Sequence, residues 1–383
     1  MVRTLWIYLG AMTFALGCKS NSTATDEIII GEYGSMTGSE AVFGQSTHNG
    51  LSMAIDEVNA AGGLKGKKIR LVSYDDQGKT SEVGTAVTRL ITSDHVHAIV
   101  GEVSSSLSIA GGQICQRHGV PMVTPSSTNP KVTEVGDYVF RICYIDPFQG
   151  YVMAKFVTDP QGPSGLGLKR VAILVDQRQA YSQGLSRDFE TALIKAGGNV
   201  VVKSSYQGGD QDFSAQLTQI KGANPEAIYI PGYYTDVANI AKQVRGIGIA
   251  QSVPLLGGDG WESVQEIGGP AIDGAYYSNH FAPEDTHAEV QSFVTKYKAK
   301  YGKTPDSLAA LGYDAGMLLR EAIQRAPSLD RAAIRDAIAA TRDFQGVTGK
   351  TSLDEHRNAR KPAVVLRINA AAKTATYMTT IAP

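Results

Sequence analysis

From residue 27 onward the chain alternates short β-branched runs with segments whose apolar residues recur three and four apart, and few architectures accommodate that pattern. IIIGEY reads as a first strand. The segment after it carries Leu51, Ala54, Ile55 and Val58 on one helical face, and IRLVSYDD reads as a second strand. A helix with Val83, Val87, Leu90 and Ile91 follows, and AIVGEV and GVPMV read as the third and fourth strands. After YVFRICY the alternation restarts with RVAILVD, NVVVKSSY, EAIYIPGY and VPLLGG, separated by helices such as LSRDFETALIKAGG and DVANIAKQVRGIG. Strands separated by helices make parallel sheets covered by helices, so the expected fold class is α/β with two doubly wound parallel-sheet lobes.

The length agrees, since 383 residues exceed what one hydrophobic core usually supports. GAYYSNHF leads into two helical segments with no strand between them, EVQSFVTKYKAKYG and LAALGYDAGMLLREAIQRA, which would return to cover the first lobe. FQGVTGKTSL and PAVVLRI are expected to cross back and finish the second. Lobe one is then residues 28–145 and 278–346, and lobe two residues 146–277 and 347–383, with three crossings forming a hinge. Ligands favour such interdomain clefts.

The N-terminus differs. Arg3 precedes LWIYLGAMTFALG, too short to cross roughly 30 Å of hydrocarbon as a helix, and residues 1–17 read as a signal peptide. The ending at Leu16-Gly17-Cys18 resembles the bacterial lipoprotein signal, in which the cysteine is acylated; ordinary secretory cleavage is the alternative. Residues 18–27 are polar and aperiodic, as a tether would be. Of the remaining cysteines, Cys115 and Cys143 could be bridged or merely buried. A formal charge of -1 without a dense basic run argues against nucleic acid as a partner.

Catalytic and metal signatures are missing where they would be sought. GKT occurs at Gly78, Gly302 and Gly349, yet Ser73, Tyr297 and Phe344 stand five positions earlier, so no phosphate-binding loop is spelled. No G-x-S-x-G elbow occurs, and His95 and His97 lack cysteine or carboxylate at ligand spacing. The chain reads as a non-enzyme that needs no cofactor or metal.

Two serine-rich segments lie where ligands of open α/β sheets bind, beyond the carboxyl ends of strands. GEVSSS ends the third strand and TPSST the fourth, and hydroxyls beside a helix N-terminus can hold a carboxylate without a formal cation. The same residues would serve equally as caps and turn formers. Asp259 in LLGGDGW, and Tyr181 and Tyr233 after second-lobe strands, are the other candidates, with plain turn and packing roles as alternatives.

GEYGSMTGSEAVFGQSTHNGLSMAIDEVNAAGGLKGKKIRLVSYDDQ, VGEVSSS, TPSSTNP and LLGGDGW, in this order, resemble the leucine/isoleucine/valine-binding proteins, the amino-acid branch of the type I periplasmic binding proteins. The resemblance implies a monomeric two-lobed receptor that captures an amino acid, branched-chain above all, and hands it to the membrane permease of an ABC importer. It implies that Ser105, Ser126 and Thr128 hold the ligand carboxylate, with Thr128 also helping the ammonium, and that Asp259 meets the ammonium where branched-chain receptors are expected to have Glu. Tyr181, Tyr233, Phe43 and Leu308 would surround the side chain. The bridging cysteines of some relatives fall on Gly78 and Ser104, which removes that disulfide. A receptor for another small amide, urea-like or aromatic acid solute, and a sensor for a signalling partner, are the rival readings.

Overall fold

The computed structural model describes residues 27–383 apart from residue 163, together with residue 2. The expected signal peptide, the Cys18 anchor and all but the last residue of the tether therefore lie outside the described residues.

The first half builds a five-stranded parallel sheet from β1 (Glu27–Gly34), β2 (Lys68–Asp75), β3 (Ala98–Val100), β4 (Met122–Thr124) and β5 (Val139–Arg141), in the order β2-β1-β3-β4-β5. Its crossovers are α1 (Ala41–Ala60), α2 (Thr80–Thr92), α3 (Ser105–His118) and the short α4 (Lys131–Glu134). Ile28 and Ile30 of β1 pack in one apolar cluster with Leu51 and Ile55, while Ile29 packs in another with Val83, Val87 and Leu90. Period-two alternation thus sends neighbouring isoleucines under helices on opposite faces.

The second half starts with α5 (Asp146–Thr158), a helix that the strand and helix reading above did not register. There follow β6 (Arg170–Asp176), α6 (Ala180–Lys195), β7 (Asn199–Tyr206), α7 (Ser214–Gly222), β8 (Ala227–Tyr229), α8 (Tyr234–Gly246), β9 (Leu255–Gly257), a one-turn 3₁₀ segment Asp259–Trp261, α9 (Val264–Gly268) and β10 (Tyr276–Asn279). The parallel strands run β7-β6-β8-β9-β10, the same winding as in the first sheet.

The chain then returns to the first lobe as α10 (Ala288–Tyr301), α11 (Ser307–Arg325) and α12 (Arg331–Ala339), with Leu311, Leu318 and Ile334 buried beside Ile28 and Leu51. One expectation fails here. FQGVTGKTSL does not finish the second sheet; β11 (Phe344–Gly346), β12 (Gly349–Leu353) and β13 (Ala359–Arg360) form a separate small antiparallel sheet. The reason is burial: Phe344, Leu353 and Ala359 pack into the first-lobe cluster, and the Val347 and Thr348 amides donate to the buried Asp314 carboxylate of α11 at 2.8 and 2.9 Å. Only then do β14 (Ala363–Asn369) and β15 (Thr374–Ile381) add antiparallel to β10. The PAVVLRI expectation holds for β14, and β15 is an addition that its polar, half-exposed sequence did not announce.

Cys115 and Cys143 are both free. They belong to clusters on opposite faces of the first sheet, which separates their sulfurs.

Candidate functional site

In each sheet the winding reverses beside the first strand of the half, and the loops beyond the carboxyl ends there face each other across the two lobes. The serine-rich segments meet as expected, because β3 pairs directly with β4. Their hydroxyls divide into two groups. Thr124 Oγ1 donates to the Glu102 carbonyl at 2.6 Å, and Ser127 Oγ lies 2.7 Å from Ser108 Oγ and 2.8 Å from the Val103 carbonyl, so these two weld one strand tip to the other. Ser126 lines a cavity between the lobes. Thr128 is 1% exposed, and its hydroxyl has no hydrogen-bond partner among the described residues.

Beneath this loop the buried Arg141 guanidinium donates to the carbonyls of Ser127 and Asn129, at 2.5 and 2.8 Å, fixing the turn's backbone. Burial lowers the proton affinity of Arg141; those carbonyls satisfy its two terminal nitrogens, while Nε has no hydrogen-bond partner among the described residues. Ser105 opens α3 just after Ser104, whose amide donates to the Glu102 carboxylate, and the Ser105 hydroxyl accepts from the Asn129 amide at 3.3 Å. Behind it, Ser35 Oγ sits between two carboxyls, 2.5 Å from Glu102 Oε1 and 3.2 Å from Asp76 Oδ1. One hydroxyl proton cannot serve both, and burial pushes Glu102 up to about 8 and Asp76 up to about 6.

The cavity is a narrow space of about 10 Å³, room for about one water, lined by Val103 and Ser126 from the first lobe and by Tyr181, Tyr233, Asp259 and Gly260 from the second. That is far below the ~300–1,000 Å³ of drug-sized pockets, so a bound amino acid requires these walls to part. Of the candidates, Ser126, Tyr181, Tyr233 and Asp259 line it directly. Ser105 and Thr128 are not among its lining residues. Phe43 and Leu308 do not line it; they pack behind it in the apolar cluster that joins Val103 to the second-lobe core. Phe43 meets Tyr233 edge-on at 5.4 Å, and Tyr181 stacks on Tyr233 at 5.3 Å and 12°.

Glycines make the second-lobe wall possible. A Cβ on Gly258 would stand 2.4 Å from the Tyr181 hydroxyl and 2.7 Å from Gln149 Nε2, so no side chain fits between the LLGGDGW turn and those residues. Within the turn the Gly260 amide donates to Tyr181 Oη at 3.2 Å. Asp259, 5% exposed, has Gln149 Nε2 2.8 Å from one carboxylate oxygen and His280 Nε2 3.0 Å from the other. Neither Gln149 nor His280 was singled out from the sequence. Nothing in DPFQGY or SNHF marks them, because they reach Asp259 only through the packing of α5 and β10.

The lobes also touch directly. Tyr233 Oη donates to Ser104 Oγ at 3.0 Å, and Thr235 Oγ1 to the Ser39 carbonyl at 2.7 Å. Ala180, the first residue of α6, is held at both ends of its backbone: its amide donates to Ser106 Oγ at 3.0 Å and its carbonyl accepts from Asn129 Nδ2 at 2.7 Å. Asn129 reaches it over Gly184, where a Cβ would come within 2.4 Å of Nδ2. The cleft is closed.

Chemically, the cavity offers a carboxylate on one side, the Ser126 hydroxyl on the other, and aromatic rings between; none of its lining residues is Lys or Arg. Among the described residues no three His, Cys, Asp or Glu are grouped to hold a metal ion.

Sequence comparison matches residues 27–374 to the family described as periplasmic binding protein. The chain is 30% identical over 360 residues to the Leu/Ile/Val-binding protein homolog 3 of Brucella melitensis biotype 1, covering 93% of this chain and 95% of that one. Among solved structures it resembles the leucine-binding protein LivK of Thermotoga maritima, with 39% identity, a TM-score of 0.87, and coverage of 93% of this chain and 99% of the other. It also resembles the branched-chain amino acid substrate-binding protein LivJ of Streptococcus pneumoniae in complex with isoleucine, with 33% identity, a TM-score of 0.85, and coverage of 93% and 100%.

Proposed function

Because the chain belongs to the periplasmic binding protein family, we propose that it is an extracytoplasmic receptor that captures an amino acid, branched-chain above all, and delivers it to the membrane permease of an ABC importer. One observation carries the amino-acid reading: a buried carboxylate, Asp259, faces hydroxyl donors across a closed cavity whose lining has no formal cation. A zwitterion complements that arrangement at both ends, its ammonium against Asp259 and its carboxylate against Ser126, Thr128 and the N-terminus of α3. A hydrocarbon side chain is compatible with Val103 and the rings of Tyr181 and Tyr233, with Phe43 and Leu308 behind them.

In this reading Ser105, Thr128 and Asp259 all reach the ligand only in the closed form, so binding shifts the equilibrium toward closure. No bond is broken. The receptor acts as a monomer, exported by residues 1–17 and tethered through an acylated Cys18 with residues 18–27 as a leash.

The test is a thermal-shift screen of the lipid-free protein against the common amino acids, followed by calorimetry with L-leucine and with 4-methylpentanoate, its deaminated analogue. Leucine, isoleucine or valine should raise the melting point, since a ligand selective for the folded state stabilises it, and the deaminated acid should bind far more weakly. A protein that responds to none of the amino acids would overturn the reading.

A further inference from the structure

We propose that Gln149 and His280 are positioning residues, which hold the Asp259 carboxylate toward the cavity through neutral donors and so leave its charge for a cationic group on the ligand. The inference rests on the amino-acid reading above and adds what makes Asp259 effective in it.

Asp259 begins a one-turn 3₁₀ segment between glycines, a setting that by itself would let a short side chain turn. It is instead gripped at both oxygens, each by a different element. Gln149 comes from the first turns of α5 and His280 from just beyond β10. The grips are themselves fixed. His280 stacks on Tyr144 with ring centres 3.7 Å apart and 24° between planes, and its amide donates to Asn279 Oδ1 at 2.8 Å. Gln149 Nε2 packs closely against Gly258, where an added Cβ would come within 2.7 Å of it. Each carboxylate oxygen keeps a further lone pair for a ligand N–H.

Neutrality is the second half of the argument. Gln149 carries no charge. The groups that face His280 are Asp259, Tyr144 and, farther off, Lys361; burial dominates among their effects and lowers the imidazole's proton affinity, so it donates as a neutral ring. A charged partner would neutralise Asp259 inside the protein and remove the need for an external cation. Two neutral donors orient the carboxylate without doing so.

The experiment is calorimetry with L-leucine on His280→Phe, which keeps a ring against Tyr144 but loses the donor, on Gln149→Met, and on each combined with Asp259→Asn. Each single change should weaken binding by about tenfold, the effect of one hydrogen bond to a charged group, and neither should weaken it further once Asp259 is Asn. His280→Gln, which retains an amide donor, should recover most of the loss. Losses that add in the Asp259→Asn background would overturn the proposal, as a merely structural role adds. A readout independent of any ligand is the ¹⁵N spectrum of His280: the proton must sit on Nε2 with Nδ1 bare, and an Nδ1-protonated ring would overturn the proposal by itself. A wild-type protein that binds no amino acid would sink the functional reading instead, and the tautomer would still decide this one.

Discussion

Ser106→Ala separates closure from ligand contact. In the closed form the Ala180 amide, one of the amides at the start of α6 that lack an intrahelical partner, donates to Ser106 Oγ of the opposite lobe at 3.0 Å. Each lobe therefore caps the other only while the cleft is shut. Removing the hydroxyl leaves that amide without its acceptor in the closed form, while in the open form water can satisfy it. A hydrogen bond of this kind contributes ~0.5–1.5 kcal/mol net, and a donor stranded in a dry site would cost about 1–3. The contact is only partly buried, so we take ~1 kcal/mol, which shifts the closed-to-open ratio by roughly fivefold. Where the closed form is the binding-competent one and is the minor form without ligand, the apparent affinity for L-leucine falls by the same factor. Ala in the first turn of α3 is a better helix former than Ser, so the stability of the unliganded fold should hold or rise slightly. Calorimetry reads the affinity, small-angle scattering the unliganded closed population, and urea titration the stability. Affinity and scattering both equal to wild type would refute the reasoning, and so would an affinity loss accompanied by an equal loss of stability.

Asp259→Ala should weaken L-leucine binding by ~2–5 kcal/mol, because it strands a desolvated ammonium, and should strengthen binding of 4-methylpentanoate, which leaves the wild-type carboxylate buried and unpaired; calorimetry compares the two. Glu102 and Asp76 are held above the pKa of unfolded carboxyls, so their contribution to stability is full below that value and lost as pH rises through about 6 and about 8. Urea midpoints should therefore fall from mildly acidic to mildly alkaline pH, by at most ~1.4 kcal/mol per unit for each proton released, and Asp76→Asn should flatten the descent. Phe344→Ala should cost ~3–5 kcal/mol in urea unfolding if β11 is anchored in the first-lobe core, and almost nothing if it only bridges the lobes. Burial pushes the thiols of Cys115 and Cys143 up to about 12, so both should resist alkylation in the native protein, and reductant should leave the melting point unchanged.

How much of this was legible varies by element. The β1 and β2 runs and the α1 face were readable because apolar periodicity is a local property that burial in a two-faced sheet simply preserves. FQGVTGKTSL misled for the opposite reason: three short strands carry no mark of which core they will join, and the choice fell to Phe344 and to Asp314, far away in sequence. In the site, Asp259, Tyr181, Tyr233 and the serine-rich tips stood out because glycines, hydroxyls and strand ends flag loops of special chemistry. Gln149 and His280 did not, since an amide and an imidazole acquire a role only from what they face.

Order along the chain, then, was enough to dictate two wound sheets, the strand tips at which a ligand can sit, and a family signature rich enough to mark the pocket's carboxylate. Folding in three dimensions decided which hydroxyls turn inward to weld the tips, which donors hold Asp259, and how the lobes cap each other's backbone. The physical reason is range: periodicity and turn chemistry act between near neighbours, whereas a hydrogen bond needs atoms within about 3 Å, a condition that only the packed molecule imposes on residues a hundred positions apart.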